Sequence, residues 1–310
     1  MGYFKLISIH NWLYIIFLSV LTVSLIVDFG LFNKPKEMNN KSATLQSLFW
    51  VCIALSFGLL IYWSEGNELS LQYVSVYLME YSLSIDNIFV FILILNYFKV
   101  SRKYYQKVLF FGILGAIVFR AIFILLGMMI VEELDWILYI FGAILIYTGY
   151  KILMSGQEPE VHPVENIIYK LMKKYFNILM EEGDGKFVIH RDGKKYYSVL
   201  FLVVGVLAST DLIFAIDSIP AAFAISQNKL VVLTANIFAV MGLRAMFYLL
   251  IGMVNRFSFL QQGISFVLMF IGIKMLLVIF NWHIPTELSL MIIILMLSSS
   301  IVFSLLKKSN

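Results

Sequence analysis

Glu80-Tyr81-Ser82-Leu83-Ser84-Ile85-Asp86-Asn87 and Asp211-Leu212-Ile213-Phe214-Ala215-Ile216-Asp217-Ser218 decide how this chain is read. Each stretch sits inside a long apolar run. Each carries two carboxylates six positions apart, and a small amide or hydroxyl follows the second. Carboxylates in the middle of a hydrophobic span are costly and rarely face lipid; they mark an ion path, a proton relay or a buried partner. The composition agrees with a membrane setting. Of 310 residues, 61% are apolar and 14% charged, whereas soluble domains run nearer half apolar and a quarter charged. The fold class is therefore all-α, a polytopic transmembrane helix bundle. The single cysteine, Cys52, excludes an intrachain disulfide and reads as a small apolar residue of a span.

Apolar runs of about 20 residues can cross as helices. Nine are found, near 11–32, 44–63, 70–97, 106–130, 135–153, 198–225, 229–253, 258–280 and 285–306. The first follows Lys5 without an A-x-A-like cleavage site and reads as a retained span. Trp12, Trp50, Trp63, Trp136 and Trp282 fall near the proposed ends, where amphipathic rings prefer the headgroup level. Basic residues gather in alternate loops: Lys34, Lys36 and Lys41; Lys99, Arg102, Lys103 and Lys107; Lys170 to Lys195; then Arg256, Lys307 and Lys308. The opposite loops hold Glu65, Glu68, Glu132, Glu133 and Asp135, with Lys229. Positive-inside placement puts the N-terminus outside and the C-terminus in the cytoplasm, as in a bacterial inner membrane. Lys5 points the other way and is outvoted by the next loop.

The chain divides into two N-terminal spans (1–69), a three-span unit (70–154), a cytoplasmic loop (155–197), a second three-span unit (198–280) and a last span (281–310). In the loop, Ile167, Ile168, Leu171, Met172, Tyr175, Ile178 and Leu179 form a helical stripe beside Lys170, Lys173 and Lys174. It suits an interfacial helix and equally a helix packed on the ends of the spans. Phe187 to Tyr197 reads as a hairpin with an Asp192-Gly193 turn. His162 and His190 have no Cys or His partner at ligand spacing, so neither is read as a metal ligand.

The units before and after the loop match. Glu80-x5-Asp86-Asn87-Ile88 aligns with Asp211-x5-Asp217-Ser218-Ile219, Arg120-Ala121-x-Phe123 with Arg244-Ala245-x-Phe247, and Gly149-x-Lys151 with Gly272-x-Lys274. Apolar bias explains shared leucines but not shared acids, arginines and lysines. Three spans per unit make the copies inverted, a build that places transport sites at the repeat interface near mid-membrane. Glu80, Ser84 and Asn87 share one helical stripe, and Asp86 lies about 100° from Asn87. Pro220 predicts a break near Asp217-Ser218-Ile219 with freed carbonyls, or a plain kink. The ligand atoms are all oxygen, from the four acids, Asn87, Ser84, Thr210 and Ser218. Such a set suits Mg²⁺, Ca²⁺ or Mn²⁺ better than Cu⁺ or Zn²⁺. Four acids less two arginines leave two negative charges if the arginines lie near the acids; alternatively Arg120 and Arg244 simply make buried ion pairs.

At these motifs the chain resembles the TerC family of integral membrane proteins, including the Alx-type manganese exporters. The resemblance runs from about Leu71 to Leu276. It rests on Glu80-x-x-Leu83-Ser84-x-Asp86-Asn87, on Thr210-Asp211-x-x-Phe214-Ala215-x-Asp217-Ser218-Ile219-Pro220-Ala221, and on Asn236-Ile237-Phe238-Ala239 leading to Gly242-Leu243-Arg244-Ala245. It implies export of Mn²⁺ as transported substrate, with Glu80, Asp86, Asn87, Asp211, Asp217 and Ser218 as the metal site and no tightly bound cofactor. One departure stands out: Ala208 stands where many members carry Glu. The family name also allows a tellurium-resistance-associated or membrane-protein-assembly role without transport. No nucleophile–base set, phosphate loop or nucleic-acid module is present, so the expectation is no enzyme and no nucleic acid. The expected partners are a divalent metal ion and the lipid bilayer.

Overall fold

The computed structural model describes residues 3–31, 40–134, 136–155, 167–191, 193–251, 259–280, 282 and 284–307. His162, Asp135, Asp192, Arg256 and Lys308 lie outside them, as do the side chains of Asp86 and Asp217. Ten helices and one hairpin follow in order: α1 (Tyr3–Leu31), α2 (Asn40–Glu65), α3 (Asn67–Tyr97), α4 (Tyr105–Glu133), α5 (Ile137–Ser155), α6 (Ile167–Tyr175), β1 (Val188–Arg191), β2 (Lys194–Tyr197), α7 (Val199–Ile225), α8 (Lys229–Leu250), α9 (Leu260–Leu277) and α10 (Thr286–Lys307). The nine expected apolar runs are thus helices, and the protein is an all-α membrane bundle. Among the described residues, six helices are long and apolar enough to cross a membrane: α2, α4, α5, α8, α9 and α10. The bent α7 makes a seventh.

α8 is the central post, with 94% of its span buried. It is mostly apolar around its circumference, as a helix enclosed by other helices must be, with Thr234, Asn236 and Arg244 as its buried polar residues. Asn228 starts it, its Oδ1 accepting from the N–H groups of Leu230 (3.0 Å) and Val231 (3.3 Å). Phe238 of α8 meets Phe17 of α1 (5.4 Å between ring centres) and Phe57 of α2 (5.2 Å), tying the N-terminal helices to the post.

The two three-helix units pack crosswise: α3 on α8, α4 on α7 and α5 on α9. Exchanging the units turns this pattern into itself. Equivalent helices of the two units run antiparallel. Ser226 at the end of α7 donates to Gln72 near the start of α3 (2.6 Å). Lys229 at the start of α8 meets Glu132 at the end of α4 (2.8 Å), and Tyr105 at the start of α4 meets Phe247 near the end of α8 (5.8 Å between rings). On α5 and α9, a Cβ added to Gly272 would lie 2.6 Å from the Gly142 carbonyl oxygen, and one added to Gly149 would lie 2.7 Å from that of Ser265. When Gly149 is aligned with Gly272, Gly142 falls opposite Ser265, so these two contacts also exchange. Small residues let membrane helices approach this closely.

Of the two readings of the loop helix, the structure shows packing on the bundle. Met172 of α6 seats on Gly205 of α7, and Tyr169 packs against Phe98 at the end of α3 (6.0 Å between rings). The hairpin forms in the expected register, with Arg191 opposite Lys194 and Gly193 at φ +72°. The left-handed region suits glycine there because no Cβ meets the backbone. The loop is clipped to the α3–α4 turn. The Glu182 carboxylate accepts from the Ser101 N–H and hydroxyl, and Lys107 donates to the Gly185 carbonyl (2.8 Å).

Of the two readings at Pro220, α7 shows the kink. It continues as one helix through Pro220 but turns by 42° between Val199–Ala215 and Ser218–Ile225. Proline removes one helical hydrogen bond and its ring crowds the carbonyl four residues earlier, which bends a helix without ending it when neighbours hold both arms.

Gly272→Val is expected to push α5 and α9 apart and to cost about 1–3 kcal/mol, as overpacking does. Thermal unfolding of the purified protein in detergent checks this, and an unchanged midpoint would deny the close crossing.

Candidate functional site

Glu80 lies thirteen residues after the start of α3, Asp211 fourteen before the end of α7, and Arg120 thirteen before the end of α4. Those three helix ends share one face of the bundle, so at 1.5 Å per residue all three residues sit about 20 Å from it. There they meet. Arg120 Nε donates to Asp211 Oδ2 (2.7 Å) and its Nη2 to Oδ1 (3.1 Å), a side-on fork. Its Nη1 donates to Glu80 Oε1 and to Asn236 Oδ1, the latter at 3.2 Å. Asn236 in turn donates from Nδ2 to the Val232 carbonyl (3.1 Å). Arg120, Glu80, Asp211 and Asn236 are all 0% exposed. One guanidinium thus joins an acid of each unit and an amide of the central post. Three charges in this cluster leave one formal negative charge.

The layer around this cluster is rich in oxygen. Ser84 stands one turn beyond Glu80 on α3, and Asn87 nearly two; both are buried. Ser218 on α7 is buried as well. Glu80 Oε2, Ser84 Oγ and Ser218 Oγ have no hydrogen-bond partner among the described residues. A buried acceptor left unmatched carries its full desolvation cost, so these atoms suit a cation. Thr210, also an expected ligand, donates its hydroxyl proton to the Val206 carbonyl (2.7 Å), within its own helix, and keeps its oxygen lone pairs.

The expected metal set therefore divides. Glu80 and Asp211 are brought together, with Arg120 between them, while Asn87 and Ser218 lie in the buried interior. Positions 86 and 217 fall on opposite sides of the Arg120 level. Each is six residues, or about 9 Å, farther along its helix, and the helices run in opposite directions. Among the described residues, no three His, Cys, Asp or Glu side chains cluster at metal-binding distance. Arg244 is buried too and lines a recess with Leu25, Phe110, Ile113, Ile117 and Met241. Ala208 is packed against Gly115, where an added Cβ would come within 2.8 Å of its own. Helix contact occupies the place where the family resemblance led to a carboxylate.

Asn236 is the residue that motif reading did not assign to the site. Its signal was the single amide in the mostly apolar run from Leu230 to Leu250, eight residues before Arg244 of the same run.

Removing one partner of a buried ion pair strands the other charge, at about 3–5 kcal/mol. Asp211→Asn breaks the two-bond fork and is expected to reach that range. Glu80→Gln breaks a single contact and is expected to cost less. Thermal melts of the two variants side by side check the order, and equal losses would deny the fork's priority.

Comparison with known proteins follows the same lines. Residues 65–310 match the family described as "Integral membrane protein TerC family". An "Uncharacterized membrane protein" of Rickettsia felis is 41% identical over 302 residues, covering 96% of this chain and 98% of its own length. "Uncharacterized membrane protein STKORF319" of Myxococcus xanthus is 38% identical, covering 95% of this chain and 92% of its own. "Putative membrane-bound redox modulator Alx" of Escherichia coli strain K12 is 38% identical over 284 residues, 88% of each chain. No solved structure matches. A family match over more than half of the chain, with relatives of this identity along nearly its whole length, places it: the chain belongs to the TerC family, a multi-pass integral membrane protein with bacterial relatives.

Proposed function

We propose that the protein is a carrier that exports a divalent cation, Mn²⁺ first among the oxygen-seeking ions, and that it is not an enzyme. One observation carries the reading: acids from two antiparallel units, Glu80 on α3 and Asp211 on α7, meet in a fully buried layer at mid-bundle. Ionisable groups at this depth are expensive and mark ion or proton paths. The exchange-symmetric, antiparallel packing of α3–α5 against α7–α9 supports inverted repeats that rock about that layer, opening it to each side in turn. The all-oxygen ligand set supports a hard cation over a soft one. Asp86 and Asp217, displaced toward opposite faces, then serve as the approach on either side, with Asn87 and Ser218 beside them. Protons are the proposed counter-ion, since a dehydrated carboxylate favours its neutral form and competes with metal. We place the chain in a bacterial inner membrane, N-terminus outside, because the basic residues gather at the α3–α4 and α6–α7 end.

The Alx relatives' printed name speaks of redox. A dithiol–disulfide cycle within one chain needs two cysteines, and Cys52 is the only one in the sequence.

Mn²⁺ uptake into liposomes holding the purified protein tests the proposal, with Asp86→Asn and Asp217→Asn as controls. Saturable flux in the wild type, lost in both variants while they remain folded, is the expected result. Flux surviving both substitutions would refute the ion path.

A further inference from the structure

The proposed carrier has a cation already in its centre. Arg120 neutralises the acids that a transported ion would need, so any ion must deal with the guanidinium first. Its bonds are not equal. Toward Asp211 it makes the two-bond fork (2.7 and 3.1 Å), the geometry that holds carboxylates most firmly. Toward Glu80 it makes a single end-on contact through Nη1, an atom that also serves Asn236. Glu80 keeps Oε2 unpartnered among the described residues.

The two units also differ in what surrounds their acids. On α3 the positions i, i+4 and i+7 are Glu80, Ser84 and Asn87; on α7 they are Asp211, Ala215 and Ser218. These positions share a helical face. The first stripe offers three oxygen-bearing side chains, with Ser84 Oγ unpartnered among the described residues, and the second only two. Arg120 is forked to the acid of the poorer stripe.

Resting on the carrier reading above, we infer that Arg120 is a tethered cation held on Asp211, and that the transported divalent cation binds the Glu80–Ser84–Asn87 stripe by displacing only the Arg120–Glu80 contact. Asn236 retains Nη1 during the exchange, so the guanidinium remains matched on Asp211 and Asn236. When the ion leaves, Arg120 returns to Glu80 and closes the centre without a second ion. The arginine acts as a built-in competitor: it lowers affinity, and a carrier must bind weakly enough to release.

Calorimetric titration of Mn²⁺ into the purified full-length protein tests this, with liposome flux measured in parallel. Arg120→Gln removes the competitor and is expected to bind Mn²⁺ at least about tenfold more tightly, with slower flux, because a charge contact between competitor and Glu80 no longer has to break. Ser84→Ala leaves the Arg120 cluster whole and is expected to bind about tenfold more weakly, for loss of one ligand oxygen. Ala215→Ser should leave affinity as in the wild type. A folded Arg120→Gln that binds no more tightly than the wild type overturns the tether, and an unchanged affinity in Ser84→Ala overturns the stripe. If Arg120→Gln does not yield monodisperse protein, Ser84→Ala against Ala215→Ser decides. Wild-type flux with either of those failures sinks this inference alone. Absence of Mn²⁺ binding and flux in the wild type sinks the carrier reading and this inference with it.

Discussion

The guanidinium of Arg120 is the point on which the bundle depends. An unpaired ion at this depth would cost several kcal/mol even after relaxation, so its four donated bonds fix where α3, α4, α7 and α8 stand relative to one another. The apolar packing around it answers to the same demand. Gly112 and Gly115 bring α4 close against Leu207 and Ala208 of α7.

Symmetry supplies the rest of the architecture. Arg120 lies fifteen residues into α4 and Arg244 fifteen into α8, and the main contacts between the units exchange: α3 with α8 for α7 with α4, Gly142 with Gly272 for Ser265 with Gly149. Two equivalent units of opposite direction have no intrinsic reason to prefer one face. Where side chains break the equivalence, as at Ser84 against Ala215, they supply the preference that symmetry lacks.

Much of this was legible in the sequence for reasons of scale. A helix that crosses lipid must satisfy its backbone internally and show lipid an apolar surface for about 20 residues, so α2, α4, α5, α8, α9, α10 and the bent α7 appear as runs that no short-range detail can disguise. The Asp192-Gly193 turn and Pro220 are local in the same sense; each acts on its own backbone, and hairpin and bend follow. What the sequence could not convey is contact between helices. The stripe on α6 says that one face is apolar but not what it covers, and only the fold puts Met172 on Gly205. Likewise Arg120 had two acids to choose from in each unit. The choice depends on crossing geometry and on reach, not on spacing. Asn236 was hardest, because a single amide has no period.

The seat of Met172 on Gly205 has a mechanical consequence. Gly205 is six residues before Asp211 on the same straight arm of α7, and α6 continues into a hairpin clipped to Ser101 and Lys107. The loop is therefore fastened at once to the arm that carries Asp211 and to the α3–α4 turn. A tilt of that arm against α4 would strain the Glu182–Ser101 and Lys107–Gly185 contacts, so the loop acts as a strap on the motion of the centre.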